Sequence, residues 1–193
     1  VGLLLKASKK IRTPHQLVIA GEPDPFNPGS YSHRSIHRHC ARVGARYLGY
    51  QPDMPTLLAS ASLVCLPSWY PEGLPRILCE AAACGRAVLA TDIPGCRELV
   101  EHGESGLLIP PKDLNALVVA LEDLLGNTGK DSTRLAVMGR KGRNLAKSKL
   151  ETELVNKAAI NDFGRLNLEY EEGCSENYNK SGIADHSETI KSS

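Results

Sequence analysis

Short, wholly apolar runs alternate with longer amphipathic stretches along this sequence, and that alternation constrains the fold more than any other feature. Leu17-Val18-Ile19-Ala20 closes on Gly21, Leu63-Val64-Cys65-Leu66 reads as a central strand, Ala87 to Thr91 as another, and Leu107-Leu108-Ile109 stops at Pro110-Pro111. A shorter run, Arg46-Tyr47-Leu48, ends at Gly49. A strand apolar at every position has no face to offer water, so it belongs in a sheet covered on both sides. The intervening segments carry helical signals. Leu3, Leu4, Leu5, Ala7 and Ile11 mark the end of an amphipathic helix, and 30–43 reads as a polar one. Asp53 can cap a helix bearing Met54, Leu57, Leu58 and Ala61. Helices are expected over 75–83 and 94–100, the second opening on proline as first turns often do. Asp113 caps the strongest: Leu114, Leu117, Val118, Leu121, Leu124 and Leu125 fall at 0, 3, 4, 7, 10 and 11, one apolar stripe closed by Gly126. Strands separated by helices in this way predict an α/β domain with a parallel sheet and helices on both faces.

Composition narrows the function. Lysine plus arginine is 23 and aspartate plus glutamate 22, a net charge of +1, which speaks against binding nucleic acid through phosphate neutralisation and against a polybasic membrane arm. Hydrophobic residues reach 41%, enough for a packed core. No run approaches the ~18 apolar residues of a membrane span, and no signal peptide is visible. The six cysteines (Cys40, Cys65, Cys79, Cys84, Cys96 and Cys174) show no C-x-x-C spacing and read as reduced thiols in a cytoplasmic protein. At 193 residues the chain is one domain and a fraction. The expected division is a sheet domain over 1–126, carboxyl-terminal helices over 127–170 (133–147 and 150–170) and a polar, disordered tail over 171–193. The sequence opens on Val1 within an apolar stretch, which suggests that its beginning is missing.

In an open parallel sheet, ligands bind beyond the carboxyl ends of strands. The most informative such loop is Pro67-Ser68-Trp69-Tyr70-Pro71-Glu72-Gly73-Leu74-Pro75-Arg76, followed by Ile77-Leu78-Cys79-Glu80. Gly73 lets the backbone approach a ligand closely. Leu74 and Pro75 open the helix, turning unpaired N–H groups and the positive dipole end toward an anion such as phosphate. Glu80 stands in an apolar run where burial is expected. A buried carboxylate needs a partner; sugar or ribose hydroxyls would serve, and so would a cap or salt bridge within the core.

Glu72-Gly73-Leu74-Pro75 with Glu80, seven residues between the two glutamates, resembles the signature of retaining glycosyltransferases of family 4, also called glycosyl transferases group 1. Four further blocks are similar to that family in order: Leu48-Gly49-Tyr50 with Asp53-Met54; Leu57-Leu58-Ala59-Ser60-Ala61; Thr91-Asp92-Ile93-Pro94-Gly95-Cys96-Arg97-Glu98; and Gly103-Glu104-Ser105-Gly106-Leu107-Leu108-Ile109-Pro110. The resemblance covers about Val1 to about Tyr170. It implies the carboxyl-terminal, Rossmann-like donor domain of a GT-B enzyme, lacking its first strand. It implies that Glu80 holds ribose hydroxyls of a nucleotide-sugar, that Glu72 is the catalytic glutamate near the transferred sugar, and that Gly73, Leu74 and Pro75 bring backbone amides to the diphosphate. Tyr50 falls where the family places the base; a surface aromatic explains it equally well. The donor implied is a UDP- or GDP-sugar, with no cofactor and no metal, and the acceptor a saccharide or lipid-linked saccharide. Peripheral contact with the inner membrane face would run through an absent amino-terminal domain. The family's basic diphosphate clamp, an Arg and a Lys, has no counterpart here: Lys6, Lys9, Lys10 and Arg12 read as helix-surface charges. The chain by itself is therefore expected not to transfer sugar.

Weaker signals point elsewhere. His33 and His37 have the spacing of a metal pair, with His39 and Cys40 nearby, but Arg34, Arg38 and Arg42 interleave as on a solvated basic face. Asn179-Lys180-Ser181 is a formal glycosylation sequon read as chance, and Asp24 and Asn27 read as turn formers. Two other functions compete: a sugar-nucleotide epimerase on the same fold, and a non-catalytic nucleotide-binding module. No G-x-G-x-x-G follows a strand, which argues against a dehydrogenase. A glycosidase is disfavoured too, because its two carboxylates must flank one bond.

Overall fold

The computed structural model describes residues 1–24, 26, 29–70, 73–126 and 132–150. They form one compact unit, Val1–Lys149. The helix expected over 150–170 and the tail over 171–193 lie outside the described residues, Leu150 apart, as do Glu72, Asn27, Cys174 and the Asn179 sequon.

Along the chain the elements are α1 (Gly2–Ser8), β1 (Val18–Ala20), α2 (His33–Ala41), β2 (Arg46–Gly49), α3 (Met54–Ser60), β3 (Leu63–Leu66), α4 (Arg76–Ala83), β4 (Ala87–Thr91), α5 (Pro94–Arg97), β5 (Gly106–Ile109), α6 (Leu114–Gly126) and α7 (Ser132–Leu150). All strand pairs are parallel. They form two ladders rather than one continuous sheet: β1 pairs with β2, and β3, β4 and β5 pair in that order. No described strand bridges β1 and β3, so the parallel sheet read from the sequence is interrupted there.

Local chemistry sets the boundaries. Asp53 caps α3 by accepting the Thr56 amide at 3.1 Å, and Asp113 caps α6 through the Ala116 amide at 2.9 Å, as their positions foretell. The Ser32 hydroxyl accepts the Ser35 amide, so α2 starts at His33 and ends at Ala41, shorter than the 30–43 expected. Helix α5 stops at Arg97, with Leu99 and Val100 buried beyond it. Helix α7 runs unbroken through 147–150, where no glycine or proline interrupts it.

Burial is deepest at β4, where all five residues are shielded. One apolar cluster joins Leu4, Leu5 and Ala7 of α1, Ile19, Ile36, Ala87 and Leu89, the α6 residues Leu117, Leu121 and Leu124, and Met138 of α7. Each fully buried leucine contributes roughly 1.5–3 kcal/mol. Lys6, Lys9, Lys10 and Arg12 are exposed, as expected of surface charges. Cys40 and Cys96 are buried; Cys65, Cys79 and Cys84 are partly so, and all five are free thiols. Desolvation pushes Cys65 up to about 12 and raises Cys79 as well, so both stay protonated and unreactive.

Helix α7 crosses the amino ends of β4 and β5. A Cβ on Gly139 would run into the carbonyl of Gly85, the turn residue before β4 with φ +65°, whereas one on Gly142 would meet Ser105 Cβ at an ordinary 3.6 Å. Gly139→Ala is therefore expected to destabilise by about 1–3 kcal/mol through backbone overpacking. Gly142→Ala on the same helix should be neutral or stabilising by up to about 1 kcal/mol, because alanine is the better helix former. Urea midpoints of the two variants check this; equal midpoints would disprove the close α7–Gly85 approach.

Acid should loosen the fold through three carboxyls. Hydrogen bonds from Thr56 hold Asp53 below its ordinary range. Arg97 does the same for Asp92, and the Thr13 hydroxyl, 2.6 Å away, for Glu122. A carboxyl lowered by folding contributes stability above its unfolded value of about 4, and that contribution fades as pH falls through the folded value. Glu122→Gln should flatten the loss of stability as pH falls below about 4.5, as followed by urea midpoints; an unchanged slope would refute the assignment.

Candidate functional site

Parallel pairing places the carboxyl ends of β3, β4 and β5 on one side of their ladder. The segments leaving those ends carry Trp69, Tyr70, Gly73 and Leu74 after β3, Asp92 after β4, and Lys112 after β5. Helix α4 begins there. Its N-cap is Pro75, buried and extended (φ −67°, ψ 120°), one residue later than the sequence suggested. The Pro75 carbonyl accepts the Leu78 and Cys79 amides, and no side chain caps the first turn. An uncapped helix start leaves N–H groups and the positive end of the dipole available to an anion. Gly73 stands at its entrance with open space around it: a Cβ there would meet nothing within 4 Å. Leu74 is exposed beside it. Gly73, Leu74 and Pro75 thus lie together at the uncapped start of α4.

Glu80 departs from expectation. It is not buried: its side chain is 27% exposed and pairs with Arg76 across one turn, Nε to Oε1 2.7 Å. The reason is helical phase. Leu78, Ala81 and Ala82 form the buried face of α4, and Glu80 falls on its flank. Arg76 itself is 91% exposed, at the first position of the helix. Sequence reasoning passed over Arg76, although its i, i+4 relation to Glu80 was visible. Glu80 and Arg76 thus place one acceptor and one cation on the first two turns of α4.

Tyr50 follows β2, is 68% exposed, and meets no other ring among the described residues. It leaves a different ladder from α4's, and no described contact joins it to the start of α4.

The histidines of α2 have other partners. His37 meets the Tyr47 ring edge-on at 4.9 Å, His33 tilts against the same ring at 6.3 Å, and His39 packs on Tyr31 and bonds the Ser35 carbonyl. Asp24 accepts the Phe26 amide at 2.9 Å, a local turn, as its type suggested. Among the described residues no helix is long and apolar enough to cross a membrane.

An open parallel ladder of β3, β4 and β5 with an uncapped helix start at its carboxyl end defines the class of protein, an α/β domain of doubly wound type. Residues 1–127 match the family described as Glycosyl transferases group 1, and the chain belongs to that family. Among curated relatives it is 43% identical over 81 residues to an exopolysaccharide phosphotransferase of Streptomyces coelicolor, covering 42% of this chain and 9% of that protein. It is 37% identical over 79 residues to the N,N'-diacetylbacillosaminyl-diphospho-undecaprenol alpha-1,3-N-acetylgalactosaminyltransferase of Campylobacter jejuni, covering 41% and 21%. It is 33% identical over 129 residues to a phosphatidyl-myo-inositol mannosyltransferase of Mycobacterium tuberculosis, covering 62% and 32%. The solved structure of Anabaena HepE with UDP-glucose matches with a TM-score of 0.72 and 24% identity, over 85% of this chain and 44% of that one. Sucrose-phosphate synthase of Thermosynechococcus elongatus matches with 0.73 and 25%, over 85% and 41%. The chain thus spans less than half the length of each of these proteins.

The Arg76–Glu80 pair is solvent-screened, with arginine on the less favourable amino-terminal side. Arg76→Ala is expected to change stability by less than about 0.5 kcal/mol, read as a nearly unmoved thermal midpoint. A larger loss would show that the pair braces α4 rather than standing ready for a ligand.

Proposed function

We propose that this chain carries the donor-binding part of a retaining glycosyltransferase of family 4, which transfers a sugar from a UDP- or GDP-sugar to a hydroxyl of a saccharide or lipid-linked saccharide. The observation that carries this reading is the uncapped start of α4 beside the open Gly73, with Glu80 on the same helix. Supporting it, HepE was solved with UDP-glucose, and the Campylobacter and Mycobacterium relatives are named for transfer to lipid-linked acceptors.

The chemistry follows from charge. As the sugar leaves the nucleoside diphosphate, the bond's electrons stay on the diphosphate and its negative charge grows. Amides and a helix dipole already aimed at that oxygen stabilise the growing charge more than the resting one, which lowers the barrier. Glu80 would accept ribose hydroxyls after exchanging its Arg76 partner for them. Arg76 is then free to turn toward the diphosphate, supplying some of the positive charge that the family's basic pair provides. Glu72 would stand near the transferred sugar, and Tyr50 near the base. In this reading the interruption between β1 and β3 marks the place of a further strand from a longer polypeptide, which would also carry that basic pair. The chain alone would then bind donor and not turn it over. The work would take place on the cytoplasmic side, with membrane contact through the amino-terminal domain.

Calorimetric titration with UDP tests the site. Saturable binding is expected, weakened about tenfold or more in Glu80→Ala, the loss of roughly one or two hydrogen bonds to a charged group. Unaltered binding in Glu80→Ala would remove Glu80 from the site, and no binding of either UDP or GDP would overturn the donor reading. Sugar transfer by the isolated chain would overturn the expectation that it binds donor without turning it over.

A further inference from the structure

Between β3 and α4 the chain is fastened by rings rather than by hydrogen bonds. Among the described residues, Trp69, Tyr70, Gly73 and Leu74 make no hydrogen bond and no ion pair. The rings of Trp69 and Tyr70 stack with centroids 4.0 Å apart and planes 24° apart. Lys112, three residues past the end of β5, stands with its Nζ 4.0 Å from the centre of the Trp69 ring. The indole is thus covered on both faces, by Tyr70 on one and by the ammonium on the other. The second contact ties the segment after β3 to the segment after β5.

Lys112 has φ +62°, and no other described non-glycine residue adopts a positive φ. Left-handed backbone is strained for a residue with a Cβ, and glycine would relieve it. Lysine keeps the strain and contributes what glycine lacks, an ammonium attracted by the quadrupole of the indole. That ammonium joins no ion pair among the described residues, so the Trp69 ring is its described partner.

The consequence falls on the start of α4. Gly73 lies four residues past Trp69, and four residues of chain reach at most about 14 Å. On its other side Pro75 is buried as the N-cap of α4. Gly73 therefore hangs between two fixed points, with open space around it. A segment fixed before its ligand arrives does not have to be ordered by that ligand, and affinity rises accordingly. We infer that Lys112 is a positioning residue for the donor: acting through Trp69, it holds the segment between β3 and α4 so that Gly73 and Leu74 present their backbone to the diphosphate. This inference rests on the reading of the chain as the donor-binding part of a glycosyltransferase.

Trp69 is the only tryptophan of the chain, so acrylamide quenching of its emission reports on the brace. Calorimetric titration with UDP, or with GDP if the wild type binds that instead, reports on the donor. Lys112→Asn removes the ammonium and keeps a residue that tolerates left-handed backbone. It should leave the thermal midpoint close to that of the wild type and make Trp69 easier to quench. Nucleotide binding should weaken about two- to fivefold, the factor by which an ammonium over a half-exposed indole favours one arrangement. Losing a brace cannot weaken binding by more than the factor the brace supplies. Lys112→Arg keeps a cation suited to the indole on the same backbone and should restore both readouts. In a Trp69→Leu background the ammonium has no indole to lie on, so adding Lys112→Asn should weaken binding no further. Unchanged quenching or unchanged binding in Lys112→Asn would overturn the inference. A loss of about tenfold or more, or a further loss in the Trp69→Leu background, would overturn it as well, by showing that Lys112 touches the nucleotide itself. If the wild type binds neither nucleotide, the donor reading fails and the positioning role falls with it; binding by the wild type that Lys112→Asn leaves intact fails the positioning role alone.

Discussion

Strand β4 hydrogen-bonds along both edges and buries every residue on both faces. A strand in that position suits parallel neighbours joined by crossovers, because the crossover helices cover its two faces. The rest of the described architecture follows. The chain leaves β3, crosses through α4, and returns as β4, so α4 must begin where β3 ends. Likewise α5 begins where β4 ends and α6 follows β5. The uncapped start of α4 at that end of the ladder is thus a by-product of burying Ala87, Val88, Leu89, Ala90 and Thr91.

The same constraint explains what was legible beforehand. The four apolar runs announced four of the five strands because no charged position disguises them, although β4 alone among the described strands is buried at every residue. The fifth, β2, was legible through the glycine that ends it. Asp53 and Asp113 announced two helix starts because an N-cap is local chemistry, complete within four residues. Less legible was anything that depends on phase or on distant partners. Glu80 sits among apolar neighbours in sequence, yet a turn of 100° per residue carries it to the flank of α4 and into contact with Arg76. The split into two ladders also escaped local reading. Each strand signal concerns its own residues, whereas continuity of a sheet depends on what lies between β1 and β3. The meeting of Trp69 with Lys112 joins positions 43 residues apart (112 minus 69), which no local pattern encodes.

The two ends of the β3–β4–β5 ladder are built differently. At the amino end, α7 approaches so closely that Gly139 and Gly85 leave no room for a side chain between them, and Lys149 reaches the Glu98 carbonyl at 2.8 Å. At the carboxyl end the groups that matter are spaced apart and face water: Gly73, Leu74, Arg76, Trp69 and Lys112. Packing density therefore marks one end as support and the other as a place for a partner.

All four ion pairs of the described residues are at least partly open to solvent. Dissolved electrolyte screens such pairs but leaves an apolar interior almost untouched. Ionic strength consequently separates two properties of this domain. Its fold, fastened mainly by leucines and alanines, depends only weakly on salt, while Arg76 and Glu80 loosen their hold on each other as salt rises. The same screening that frees Glu80 for hydroxyl groups also weakens the pull of α4 on an anion. A crowded ionic milieu would thus tune recognition at this end of the sheet without altering the scaffold beneath it.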